Sequence, residues 1–211
     1  MPSDIKELIK TSLDAIFNRD QFGISQKFLA IGEKYNVRDV ETNEDLLWVE
    51  RDKFGRYTHM HVYTDKTKAQ KILHLEDKAM LDFFGKFTVM DVETNQPLAS
   101  LKRKWFWSWL WRESYDIFGP EGFESQPIGK VEARGGFIRQ WLRKVYKFWF
   151  LRLQFDVFLF KDGQKVKVME YNRKATLRDN YIIDCTFDAE GLLDRRLAVA
   201  LGLVLDAFEQ R

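Results

Sequence analysis

Residues 192–208 read LLDRRLAVALGLVLDAF, and within them Leu197 to Leu205 is an unbroken apolar run. The run holds no Pro and only two β-branched residues, Val199 and Val204, so it favours a helix. Asp188 and Gly191 upstream read as start signals, which predicts a helix over about 191–209. A helix lying on a surface would show one apolar stripe, whereas this one is apolar all round and must be enclosed by protein or by lipid. Nine residues at 1.5 Å each cover about 14 Å, far short of the hydrocarbon layer of about 30 Å. Asp194, Arg195, Arg196 and Asp206 also flank it closely. The expectation is a helix buried inside a fold large enough to surround it.

The rest of the chain has the material for such a fold. Among 211 residues are 18 Phe, 7 Trp and 7 Tyr, and aromatic residues favour strands, so the class leans to β. A formal net charge of +2 gives no global pull toward nucleic acid, and no RNA-binding motif is present. The single cysteine, Cys185, excludes a disulfide framework and points to a reducing compartment. The opening MPSDIKELIKTSLDAIF is amphipathic and charged, and it lacks the apolar core of a signal peptide. These features set the expected location as cytoplasmic. Ile5, Leu8, Ile9, Leu13 and Ile16 share one helical face, with Ser3 placed to cap it, so residues 1–20 are predicted as an amphipathic helix that lies against the main domain or offers a handle to a protein partner.

From Phe22 the pattern becomes short extended runs broken by turns. Asn36–Asp52 and Thr88–Lys104 both contain V-x-D-V-E-T-N, at an offset of 52 residues. Each reads as a β-hairpin, with Asn suited to a left-handed turn position. His59–Asp77, Tyr115–Arg134 and Gln154–Arg173 follow the same plan. With Phe22–Ala30 opening the series and Asn180–Phe187 closing it, about twelve strands are expected in one domain over 21–211. Consecutive hairpins favour an antiparallel meander, and closing it removes exposed edges. A barrel that wide is not filled by its own side chains, and an all-apolar helix suits the interior.

These segments resemble a known family. Asp179–Phe208 is similar to the end of phospholipid scramblases, where a strand leads into an apolar helix holding a late Asp. Gln126–Val131, QPIGKV, resembles that family's P-I-G-x-V strand, and the hairpins at Lys34 and at Lys86–Leu98 fit its plan. The resemblance covers about Phe22 to Phe208. It implies the tubby C-terminal-like fold shared with LURP-one-related proteins: a twelve-stranded closed barrel around a C-terminal helix. It also implies binding of anionic phospholipid, with some part in transbilayer lipid movement. The Pro-rich and Cys-rich regions of animal scramblases are absent here. Their calcium segment aligns with Leu177–Asp188, where Leu177 replaces the first Asp. Asp179, Asp184 and Asp188 remain as thin candidates for calcium, which wants six to eight oxygens; no other cofactor is implied.

Catalytic constellations are scarce, and a non-enzymatic role is expected. His59 and His61 alternate on one strand face and with His74 could approach a metal, although an ordinary exposed hairpin face is the simpler reading. Two stretches combine bases with aromatics and contain no acid: Lys102–Arg112, KRKWFWSWLWR, and Ala133–Phe155, ARGGFIRQWLRKVYKFWFLRLQF. Trp and Tyr suit a bilayer interface, and Lys and Arg suit an anionic leaflet. Lys102, Arg103, Lys104, Arg139, Trp141, Arg143, Lys144, Lys147 and Trp149 are therefore the candidate lipid contacts. Trp105, Trp107, Trp109 and Trp111 share one period-2 face, which equally suits the inside of a barrel. The competing reading is a non-enzymatic barrel acting as a scaffold for protein interaction.

Overall fold

A computed structural model describes residues 13–28, 33–54, 57–77, 85–104, 113–135, 154–174 and 180–209. Twelve strands follow in order: β1 (Gln21–Phe28), β2 (Glu33–Asp39), β3 (Asp45–Phe54), β4 (Tyr57–Tyr63), β5 (Lys71–Asp77), β6 (Lys86–Asp91), β7 (Gln96–Arg103), β8 (Ser114–Phe118), β9 (Pro127–Ala133), β10 (Phe155–Lys161), β11 (Gln164–Lys174) and β12 (Asn180–Asp184). Each pairs antiparallel with its neighbours in the chain, and β1 pairs with β12 to close the barrel. The five expected hairpins are β2–β3, β4–β5, β6–β7, β8–β9 and β10–β11. A helical turn, α1, covers residues 13–17, and the part of the expected N-terminal helix before it lies outside the described residues.

The last element is helix α2 (Arg195–Glu209), inside the barrel. Every residue from Leu197 to Phe208 is buried. Inward strand positions alternate as the pleat requires, for example Phe155, Val157 and Leu159 on β10. Phe22, Tyr35, Phe87, Tyr115, Phe155 and Tyr171 are all almost wholly buried. Large rings help fill the space between twelve strands and one helix. The Phe208 ring seats between Phe87 at 5.1 Å, edge on, and Tyr115 at 4.8 Å, stacked. Gly202 lets the helix approach β1 and β12, since a Cβ there would lie 2.5 Å from Ile183 Cδ1 and 3.1 Å from Ile24 Cδ1.

The helix begins later than the sequence predicts. Asp188 is not its cap: its carboxylate accepts the Leu192 and Leu193 N–H groups at 2.8 and 2.9 Å and shapes the turn before the helix. Gly191, at φ +65°, turns the chain within that segment. Asp194 is the cap, because its carbonyl accepts the Ala198 N–H and its side chain accepts that of Arg196.

Candidate functional site at the two ends of the barrel

Because the strands alternate in direction, every connection falls at one of two ends. At the near end, where α2 enters, lie the turns within the five hairpins and the β12–α2 segment. At the far end lie the strand ends joined by 29–32, 55–56, 78–85, 104–113, 134–154 and 175–179.

The near end is tied shut by carboxylates. Asp39 Oδ1 accepts the Glu41 and Thr42 N–H groups at 2.8 and 2.9 Å, and Asp91 Oδ1 accepts those of Glu93 and Thr94 at 2.8 and 3.3 Å. Asn43 and Asn95 then take left-handed φ values of 59° and 54°. The two V-x-D-V-E-T-N copies are thus one turn used twice. In each, the second oxygen of the Asp holds an arginine: Arg19 Nε donates to Asp39 Oδ2 at 2.7 Å, and Arg196 Nη1 donates to Asp91 Oδ2 at 2.6 Å. The Thr42 N–H and then Arg19 hold the Asp39 carboxyl down at about 2. Arg195 bridges Asp188 and Asp20, both at 2.7 Å. Burial opposes ionisation of Asp188, but the Leu193 N–H and Arg195 outweigh it and keep that carboxyl below its usual range. Between residues 13–18 and this clamped mouth is a groove of about 650 Å³, lined by Leu13, Phe17, Ile72, Asp91 and Arg196 among others.

The far end has a buried polar cluster beneath it. Arg51, 1% exposed, donates to Glu33 Oε2 at 2.5 Å and to the Tyr35 hydroxyl at 3.3 Å, and it reaches the Ala207 carbonyl at 3.5 Å. A guanidinium here complements the negative end of the helix dipole. Asp206, wholly buried, stands nearby. Burial first, and then the Asp206 charge, push the Tyr35 hydroxyl above its ordinary value.

The segments that join strand ends differ sharply in the charge of their sequence. Near-end connections hold ten Asp or Glu and two Lys; far-end connections hold three Asp or Glu and eleven Lys or Arg. Both basic-aromatic stretches run between far-end strand ends: 105–112 joins β7 to β8, and 136–153 joins β9 to β10. Trp105, Trp107, Trp109, Trp111, Arg139, Trp141, Arg143, Lys144, Lys147 and Trp149 lie outside the described residues. Lys102 is half-buried on β7. Arg103 pairs with Glu113 at 3.5 Å, and Lys104 pairs with Asp116 at 2.8 Å.

Of the calcium candidates, the two described ones are each engaged in a local turn. Asp179 lies outside the described residues. Asp184 Oδ1 accepts the Thr186 N–H at 3.0 Å and its hydroxyl at 2.7 Å, a local turn. Asp188 is engaged as described above. Among the described residues, no three His, Cys, Asp or Glu side chains are grouped to hold a metal ion. Cys185 is buried, its N–H bonds the Asp20 carbonyl at 2.7 Å, and burial pushes its thiol up to about 12.

The histidines come together on the outer wall. His61 and His74 face each other across β4 and β5, with their Nδ1 atoms 3.0 Å apart. Burial, then Lys71 and the neighbouring rings, hold the His61 imidazole below its usual value; burial, then His59 and Lys71, do the same for His74.

The arginine clamps and the Arg51 cluster were not readable from residue types. The one signal was the repeated Asp of V-x-D-V-E-T-N, whose partner Arg196 lies 105 residues from Asp91. No curated protein matches the chain. The family model described as LURP-one-related matches residues 21–206, from the first residue of β1 to the last turn of α2. With nearly the whole barrel and its helix inside that match, the chain belongs to the LURP-one-related family.

Proposed function

We propose that the protein binds anionic phospholipid at a membrane surface, without catalysis, and that the far end of the barrel makes the contact. The observation that carries this is the separation of charge along the barrel axis. A body with acids at one end and bases with aromatics at the other orients itself on a negative surface. The segments 105–112 and 136–153 together hold six bases, eleven aromatics and no acid. At about 1 kcal/mol per base, the six supply about 6 kcal/mol. That suits reversible peripheral attachment at the cytoplasmic face.

Among the described elements, α2 spans about 22 Å and is enclosed by strands. Any part in moving lipid between leaflets therefore falls to the far-end segments, and a scrambling assay on the same vesicles tests it separately. The near-end groove favours a second reading, a scaffold that takes a protein partner beside residues 13–18.

The experiment is co-sedimentation with neutral and with anionic vesicles, at low and high salt, with and without calcium. Binding to anionic vesicles alone, weakened as salt shortens the screening length from about 10 Å to about 3 Å, is the expected result. Equal binding to neutral vesicles, or none to either, refutes the proposal and leaves the scaffold.

A further inference from the structure

The chain has three histidines, and all three meet on one patch of the outer wall. His59 and His61 are two residues apart on β4, so they share a face, and His74 is the cross-strand partner of His61. The His59 and His74 rings are stacked, with centroids 5.6 Å apart and planes within 9°. The His61 and His74 Nδ1 atoms stand 3.0 Å apart, sharing one hydrogen between two ring nitrogens.

That spacing is close to a chelate. Two imidazole nitrogens on one tetrahedral zinc, each about 2.0–2.1 Å from it, lie about 3.3 Å apart. Opening the observed pair by a few tenths of an ångström, with the shared hydrogen moved from the donating ring's Nδ1 to its own Nε2, frees both Nδ1 lone pairs for a cation. Each ring already has a partner that would orient it. His61 Nε2 faces Asp52 Oδ2 at 3.8 Å, and His74 bonds the Met60 backbone. Carboxylates and backbone carbonyls in these positions fix metal-bound imidazoles.

We propose that His61 and His74 chelate a divalent transition metal ion, and that His59 rotates to complete the site. An all-imidazole donor set with no thiolate suits zinc or copper and disfavours calcium or magnesium. Since no three donors converge in the described arrangement, the rotation of His59 accompanies binding. A histidine flips between staggered side-chain positions at small cost on a half-exposed strand face. The site lies on the barrel wall, so it is independent of the lipid reading.

The test is calorimetric titration of the full chain with zinc chloride, and separately with copper sulfate, near neutral pH. The wild-type protein is compared with His59→Ala and with the double variant His61→Ala, His74→Ala. One equivalent per chain is expected, weakened at least about tenfold in the double variant and less in His59→Ala. Copper-bound protein is expected to show nitrogen hyperfine coupling from more than one imidazole. Unchanged melting temperatures in metal-free buffer show that the variants fold. The absence of saturable binding, or equal binding by the folded double variant, overturns the proposal.

Discussion

At the near end, ten of the twelve charges in the connections are acidic, and at the far end eleven of fourteen are basic. Acids at the near end have internal work. Asp188 shapes the turn before α2, Asp194 caps the helix, and Asp65 closes the β4–β5 turn onto the Thr67 N–H at 2.7 Å. With the strand-end residues Asp39 and Asp91, they hold the arginines of everything that enters the barrel. The far end is closed from within, by Arg51, Tyr35 and Glu33 beneath the last turn of α2. The segments that join its strand ends are rich in aromatic and basic residues. On the proposed function, the difference separates a closing end from a contacting end, with α2 running between them.

The largest effect comes from removing what the ends share. Leu201 is fully buried near the middle of α2. Leu201→Asp places a charge inside the apolar core cluster, so a loss above about 4 kcal/mol is expected, enough to unfold both ends. Near-ultraviolet circular dichroism reads this directly, and a native spectrum with normal melting would refute the enclosed helix.

Next is the near end alone. Asp91 is 5% exposed and holds both its own turn and Arg196 on α2. Asp91→Ala removes both, at a cost of about 1–3 kcal/mol. For a chain of this size that lowers the melting temperature by roughly 2–4 °C per kcal/mol. Asp39→Ala is expected to cost less, because its arginine belongs to the segment before β1 rather than to the helix. Equal losses would mean that the turns matter and the clamps do not.

Acid distinguishes the ends by a third route. Asp39, in the near-end mouth, and Asp45, at the near-end start of β3, titrate at about 2 in the folded chain. Burial of Asp45 raises its value, and its bonds to Lys66 and Arg38 more than reverse that. Such groups bind fewer protons folded than unfolded, so they stabilise fully above the ordinary carboxylate value of about 4 and cease to do so as pH falls toward about 2. Thermal melts should decline first below about 6.5, where the unfolded chain's histidines charge and the fold keeps His61 and His74 neutral, and then again through the carboxylate window. Hydrogen exchange should show the near-end turns opening through the same window, together with the wall around Glu170, where burial opposes ionisation of the carboxyl but Lys167 and Arg134 outweigh it and hold it at about 2. Near-end turns that stay protected down to about 2 would remove Asp39 and Asp45 from what closes that end.

What could be read in advance follows from the range of each interaction. The strands were legible because period-2 alternation and Asp, Asn and Gly turns are local, so β2–β3 and β6–β7 were legible from V-x-D-V-E-T-N alone. The enclosed helix was legible because a charge-free run of nine residues leaves few alternatives. Its start was misplaced by four residues, since Asp188 and Asp194 carry the same cap chemistry and only the folded backbone selects between them. The His61–His74 contact needed the β4–β5 register. The Arg51 cluster joins β2, β3 and α2, and no spacing in the chain encodes that.

The smallest effect on stability carries the largest functional consequence. Arg143, Lys144 and Lys147 lie between β9 and β10, in neither strand. Changed together to Glu, they should alter unfolding free energy by no more than about 0.5 kcal/mol, the usual range for such sites. Three reversals should remove on the order of 6 kcal/mol of attraction to an anionic surface, since each replaces about 1 kcal/mol of attraction with similar repulsion. Vesicle binding is then lost in a protein that melts normally. The matching change at the near end, Lys66 and Lys68 to Glu, reverses two charges on the β4–β5 turn. It should leave vesicle binding unchanged while loosening the contacts of these lysines with Asp45 and Glu50. If both triple and double variants lose binding equally, attraction is a property of total charge and not of which end faces the membrane. If only the far-end variant loses it, the barrel stands on its basic end, with the clamped turns and α1 directed away from the lipid.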